Sequence, residues 1–273
     1  MATAILDYDG YICKSFYANK DDMMNFEKAE EILSDLENAA FKKINRMYPK
    51  QNNKIIKVVS GHSWKKDIYP SYKRTRKRDE FLGIYRSSII ENYKGITIVD
   101  QLEADEVIVM IADWLRATNE DFIVFSDDKD LRYYVENYCK INILEEPVLQ
   151  DPQALVYNQL EQMLVGDKED NIQGVDKVGE KTAPKLLKQY GYSLAGAVKI
   201  FKDKGIEIDR TLRDLLLIIP MSDTYTLETE PSYRVASSII KKEKANPLDV
   251  HNAMIAQVQY LNKIVTEIYN TED

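Results

Sequence analysis

The sequence predicts an α/β fold: a parallel sheet in residues 1–150, followed by a smaller all-helical domain over residues 151–273. Three observations predict it. Short β-branched apolar runs punctuate the first half. Stretches with helical spacing separate these runs. After about residue 150 the strand-like runs stop and the pattern is helical. Continuous apolar strands alternating with helices read as a parallel sheet covered on both faces.

The expected strands are Thr3–Leu6, Ile55–Val59, Ile96–Val99, Phe122–Phe125 and Ile141–Leu144. Glu27–Tyr48 and Glu103–Ala117 carry the helical spacing between them. The domain boundary is placed near Glu146–Asp151, where Pro152 is set to open a helix. A last helix, about Pro247–Tyr269, reads as a packing element. The 273 residues and 44% hydrophobic content suit one large domain plus a smaller one with real cores.

Composition narrows the function classes. The two cysteines, Cys13 and Cys139, have no metal or redox spacing, as expected of a reduced, cytoplasmic protein. The N-terminus "MATAILDYDG" has no basic segment or long apolar run, so no signal peptide is expected, and "VIVMIADWL" is too short to span a membrane. A net charge of −8 argues mildly against generic nucleic-acid binding. Where the charges sit matters more than their sum.

Carboxylates follow the expected strand ends. Asp7 and Asp9 follow the first strand, Glu103, Asp105 and Glu106 ("LEADEV") the third, and Asp127, Asp128 and Asp130 ("FSDDKDL") the fourth. In open parallel sheets ligands bind at the carboxyl ends of strands. Any one of these acids is equally well read as an ordinary helix cap, Asp9, Asp100 and Asp127 most of all. Taken as a set, and joined by Asp167 and Asp170, they would repel one another without a cation. Oxygen ligands with no nearby cysteine point to Mg²⁺ or Mn²⁺. Two such ions roughly 4 Å apart are a common device for phosphodiester cleavage.

"GDKEDNIQGVDKVGEKTA" (Gly166–Ala183) reads as a hairpin between two helices. Gly174 and Gly179 are expected to permit tight turns and close backbone approach, with the next helix opening at about Glu180–Thr182. With Val175, Lys177, Lys181, Thr182 and Lys185, this hairpin would grip a nucleic-acid backbone without reading sequence. Metal ions held by Asp167, Asp170 and the other acids would reverse the local sign at the scissile phosphate. "SWKKDIYPSYKRTRKR" (Ser63–Arg78) interleaves Lys65, Lys66, Lys73, Arg74, Arg76, Lys77 and Arg78 with Trp64, Tyr69 and Tyr72. That pattern suits stacking and phosphate contact with a single-stranded or frayed end.

Together these motifs resemble the flap endonuclease/5′→3′ exonuclease family. "ILDYDGYICKSFYA", "YPSYKRTR", "LEADEV", "FSDDKDL" and "GDKEDNIQGVDKVGEKTA" fall in the family's order from Asp7 to Leu187. "SGHSWKKD" is most similar to phage replication ribonuclease H, which removes RNA primers. The resemblance implies a PIN-like sheet domain with a helical arch at about 62–95. It also implies a helical domain with a helix–three-turn–helix at about 160–190. It implies a two-metal 5′-nuclease of DNA replication. Asp7, Glu103, Asp105 and Glu106 would hold one ion, and Asp128, Asp130, Asp167 and Asp170 the second. Lys14, Lys73 and Arg76 would be catalytic cations. Tyr72, Lys73, Arg74, Arg76 and the hairpin would contact DNA, with a K⁺ at the hairpin. Implied partners are DNA with 5′ flaps or ends, RNA–DNA hybrid, and a single-strand-binding protein or sliding clamp. The expected protein is a monomer with no membrane partner, in the host cytoplasm if phage-encoded.

One position departs from the family pattern. Where an aspartate usually follows the second strand, "IIKVV" runs into "SGHSW", leaving Ser60 or His62 in its place. A non-catalytic structure-specific DNA-binding protein of the same fold, and a PIN-type ribonuclease without DNA preference, are the competing readings.

Overall fold

The computed structural model describes residues 1–19, 25–77, 79–128, 130–135, 137–141, 148–149, 151–221 and 231–271. Arg78, Lys129, residues 142–144 of the expected fifth strand, and residues 146, 147 and 150 of the expected boundary lie outside them.

In chain order, β1 (Ala2–Asp7) leads into α1 (Tyr8–Ala18), and α2 (Phe26–Met47) follows. Next come β2 (Lys54–Ser60), the single-turn α3 (Lys65–Ile68) and α4 (Glu80–Asn92). Then come β3 (Ile96–Val99), α5 (Ala104–Ala117) and β4 (Asp121–Phe125). A 3₁₀ turn (Asp130–Tyr133) precedes β5 (Asn137–Cys139) and β6 (Val148–Leu149). The remainder is helical: α6 (Pro152–Val165), α7 (Ala183–Tyr190), α8 (Leu194–Asp203), α9 (Ile208–Ile218), α10 (Pro231–Ile240) and α11 (Pro247–Asn270).

The chain divides into two compact units. The first takes residues 1–62, 77–150 and 236–245, and the second takes 63–76, 151–235 and 246–273.

The first unit is an α/β sheet in the order β3-β2-β1-β4-β5-β6. The pairs from β3 to β5 are parallel, and β6 joins β5 antiparallel. Strands alternate faces, so Ala2, Ala4 and Leu6 enter one cluster with Phe16, Leu33 and Ile44 of α1 and α2. α5 packs against β1, β2 and β4 and buries Val107, Ile108, Met110, Ile111 and Leu115. A helix apolar on most of its surface belongs in such a layer. The fifth strand is Asn137–Cys139, upstream of the expected run, and Ile141 is a bend.

The second unit is helical. α11 packs against α8 and α9, and α7 against α6 and α8. Leu187, Phe201, Leu215, Leu261 and Val265 are fully buried within it. No helix among the described residues is long and apolar enough to cross a membrane.

Candidate functional site

In the sheet, β1 has β2 on one side and β4 on the other, so the strand order reverses beside it. The crevice at the carboxyl ends of β1 and β4 is therefore the expected ligand position. Register places Leu6 opposite Phe125, which brings Asp7 level with Ser126. The Ser126 hydroxyl donates to Asp7 Oδ2 at 2.5 Å. Asp7 also caps α1, accepting from the Gly10 N–H at 3.4 Å. Burial pushes the Asp7 carboxyl up from 3.8 to about 7. The Ser126 hydrogen bond opposes this, while the negative charges of Asp9 and Asp128 add to it.

Asp128 and Asp130 lie in the loop after β4. The Asp128 N–H donates to Ser126 Oγ at 2.9 Å, and the Asp130 N–H to Asp128 Oδ1 at 2.8 Å. Asp127 has an internal role: it accepts from the Ile141 N–H at 3.1 Å and pairs with Lys14 Nζ at 3.0 Å. Lys14 thus sits at the rim of the sheet site, held by Asp127. Glu103 and Glu106 form a capping box at the start of α5, with the Glu103 N–H donating to Glu106 Oε2 at 3.1 Å. Glu106 is fully buried, while Asp105 is partly accessible. Among the described residues, no three His, Cys, Asp or Glu side chains are gathered closely enough to form a ready-made metal shell.

The end of β2 separates Ser60 from His62. Ser60 is the last residue of the strand, and His62 is exposed beyond it. The Ser60 N–H donates to Asp9 Oδ2 at 2.8 Å, and its hydroxyl accepts from the Ala104 N–H at 3.1 Å. Arg86 of α4 donates to Asp9 Oδ1 at 2.6 Å and to the Ser60 carbonyl at 2.7 Å. An internal arginine–aspartate pair therefore sits against the end of β2. Nothing in the sequence spacing singled out Arg86, because it lies 77 residues from Asp9.

In the helical unit, three turns join α6 to α7, at residues 168–171, 176–177 and 180–182. The Asp167 carboxylate accepts from the Glu169 and Asp170 N–H groups at 2.8 and 3.2 Å, which closes the first turn. Asp170 has a side-chain exposure of 12% and pairs with Arg76 Nη2 at 2.5 Å and Lys73 Nζ at 3.7 Å. The positive charge beside this acid comes from the basic segment itself.

Several expected contacts need correction. Tyr72 and Trp64 are each 3% exposed, so neither offers a ring face for stacking a base. Lys73 Nζ lies 4.9 Å from the Tyr72 ring centroid, so the ring supports this cation from below. Tyr69 is covered by the Arg213 guanidinium at 4.5 Å. Arg74 is exposed. Val175 is buried, and Gly174 serves internal packing. At Gly174, φ is +63°, and a Cβ would lie 2.5 Å from the Val165 backbone. Gly179 needs no such exemption: a Cβ there meets nothing within 4 Å, and no positive φ is required. The α7 helix begins at Ala183, slightly later than expected. Lys177, Gly179, Lys181, Thr182 and Lys185 remain exposed together. Beside them lies a cavity of about 480 Å³ whose walls include Lys177, Thr182, Lys204 and Arg210.

The family sequence model described as "5'-3' exonuclease, N-terminal resolvase-like domain" matches residues 2–163, more than half of the 273-residue chain. A 5'-3' exonuclease of Aquifex aeolicus is 32% identical over 173 residues, covering 58% of this chain and 60% of that protein. A 5'-3' exonuclease of Buchnera aphidicola is 26% identical over 203 residues, covering 68% and 66%. This chain thus spans about two thirds or less of these relatives' length. Among solved structures, the bacteriophage T5 D15 flap endonuclease, in a pseudo-enzyme-product complex with DNA and metal ions, superposes with a TM-score of 0.60. Its identity is 12%, over 99% of this chain and 100% of that one. At that identity the likeness is one of fold. On the sequence match across its sheet unit and into α6, the chain belongs to the 5′-3′ exonuclease family.

Proposed function

We propose that this chain is a divalent-metal-dependent 5′-nuclease of DNA replication, hydrolysing phosphodiesters at 5′ flaps and ends, with RNA–DNA hybrid primers as a further substrate. The observation that carries this reading is Asp7. It is a carboxylate at the sheet's switch point, pushed up to about 7 by burial and by two neighbouring acids. Such a site gains from a cation, and its donors are all oxygen, which fits a hard dication such as Mg²⁺. Membership of the 5′-3′ exonuclease family supports the same reading.

Asp7, Asp105, Asp128 and Asp130 would hold a divalent ion in the sheet unit, while Asp167 and Asp170 are further oxygen donors within the helical unit. A bound divalent ion would polarise a phosphoryl oxygen and would activate water at neutral pH. Glu103 and Glu106 orient the start of α5 through their mutual cap. Lys14, steadied by Asp127, supplies positive charge at the site's rim. Lys73 and Arg76 offset phosphate charge. The exposed Lys177, Lys181 and Thr182 hold the backbone of the substrate away from the scissile bond.

A second reading, a DNA-binding protein with weak or no cleavage, is favoured by Ser60 and the Asp9–Arg86 pair. One experiment separates the two. The pure protein is incubated with end-labelled flap, nicked and RNA–DNA hybrid substrates, with Mg²⁺ or with chelator. The nuclease reading predicts Mg²⁺-dependent release of short 5′ products, and binding without any cleavage supports the second reading.

A further inference from the structure

The basic segment of the helical unit is fastened to the first turn of the hairpin by more than charge. The Asn171 amide donates to the Ser71 carbonyl at 2.6 Å, and the Thr75 hydroxyl donates to Asn171 Oδ1 at 3.1 Å. The Tyr69 hydroxyl donates to the Asn171 carbonyl at 3.4 Å, and the Lys73 N–H to the Asp170 carbonyl at 3.3 Å. Arg213, anchored on the buried Asp214, lies on the Tyr69 ring. Lys73 and Asn171 both adopt positive φ, 54° and 62°. Such backbone persists only where surrounding contacts over-determine it. The place of residues 69–76 is thus set by the Asn171, Tyr69 and Arg213 contacts.

The ion pairs of Asp170 are a separate matter. Its two oxygens face two different cations, Arg76 on Oδ1 and Lys73 on Oδ2. This is how the same two side chains would hold two oxygens of a phosphate. Arg76 is 48% exposed, so an incoming anion can reach it from solvent. We propose that Asp170 is a phosphate mimic: without substrate its carboxylate fills the place that a nucleic-acid phosphate takes on Lys73 and Arg76. Because the segment is held independently, a phosphate can replace the carboxylate while the segment keeps its position. Asp170 is then a specificity-determining residue. An unstructured strand must compete with a built-in anion, and only a substrate held elsewhere as well overcomes it. The inference rests on the nucleic-acid reading above.

The test is made in chelator, so that metal binding plays no part. Binding of a labelled single-stranded DNA oligonucleotide is measured against KCl concentration for wild type and Asp170→Asn. The expected result is about tenfold tighter binding at about 100 mM KCl. The slope of log K against log salt should steepen by about 0.7, the contribution of one freed phosphate contact on a single strand. In a Lys73→Met/Arg76→Met background, Asp170→Asn should change nothing. Unchanged affinity and slope in Asp170→Asn overturns the proposal, as does tightening that persists in that background. If Asp170→Asn fails to fold, Asp170→Ser is read in the same way. The Lys73→Met/Arg76→Met pair alone should leave the wild-type slope little changed, because the Asp170 carboxylate already occupies both cations there, and a fall of about 0.7 or more in that pair overturns the proposal. Failure of the nuclease reading is seen separately, as absence of cleavage by wild type in Mg²⁺.

Discussion

Asp7 and Ser126 meet across the β1–β4 edge, the hydroxyl donating at 2.5 Å to a carboxylate whose pKa burial raises to about 7. In the unfolded chain that carboxyl ionises near 3.8. Between about pH 4 and pH 7 the folded metal-free protein therefore binds a proton that the unfolded chain has lost. Stability falls as pH rises through that window and stays lowered above it. Asp7→Asn removes the ionisation. At pH 8 without divalent ions the variant is expected to melt several degrees above wild type, and the difference should shrink towards zero below pH 4. A melting-temperature series across pH checks this, and a gap independent of pH would contradict it. The same variant is expected to lose cleavage.

The Asp9–Arg86 pair predicts how the missing acid can be restored. Ser60→Asp places a carboxylate at the end of β2, within the hydrogen-bonding reach that Ser60 has now towards Ala104. The half-saturating Mg²⁺ concentration for cleavage should fall several-fold. His62→Asp, at an exposed position past the strand, should leave it unchanged. Rate against Mg²⁺ for the three proteins decides, and an equal effect of both substitutions would place the site elsewhere.

The sheet was legible because β1 to β4 are continuous apolar runs, and β3 was placed to the residue at Ile96–Val99. The Asp7 and Asp128 positions were legible because strand ends converge in a parallel sheet. What escaped depends on long-range contact. Tyr72 and Trp64 read as stacking groups, yet burial consumes both. Arg86 and Asn171 gave no local signal, since their partners lie 77 and 100 residues away. Gly179 and Gly174 look alike in sequence and differ only in φ and in what a Cβ would strike.

That difference is testable. Gly174→Ala forces a Cβ to within 2.5 Å of backbone at positive φ. It is expected to cost about 2 kcal/mol or more of stability. Gly179→Ala should leave the melting temperature within about 2 °C, since its Cβ enters open space. Thermal melts of the two variants give the answer directly, and equal losses would contradict the assignment.

At the exposed end of the hairpin, Lys181→Ala should weaken duplex binding and lower the salt slope of log K by about one unit. The single-turnover cleavage rate at saturating enzyme should remain within about twofold. Anisotropy titrations at several KCl concentrations measure the slope, and an unaltered slope would mean that Lys181 meets no phosphate.

The account stands most directly on the Asp128 carboxylate beside Asp7 at the sheet's switch point. The decisive measurement is single-turnover cleavage of a 5′-labelled flapped duplex by wild type and Asp128→Ala, each in Mg²⁺ and in excess chelator, with binding measured in parallel. The account predicts cleavage by wild type in Mg²⁺ alone. It also predicts a loss of at least about a hundredfold in Asp128→Ala, with affinity for the duplex kept within a few-fold. Undiminished cleavage by Asp128→Ala, or by wild type in chelator, would contradict it.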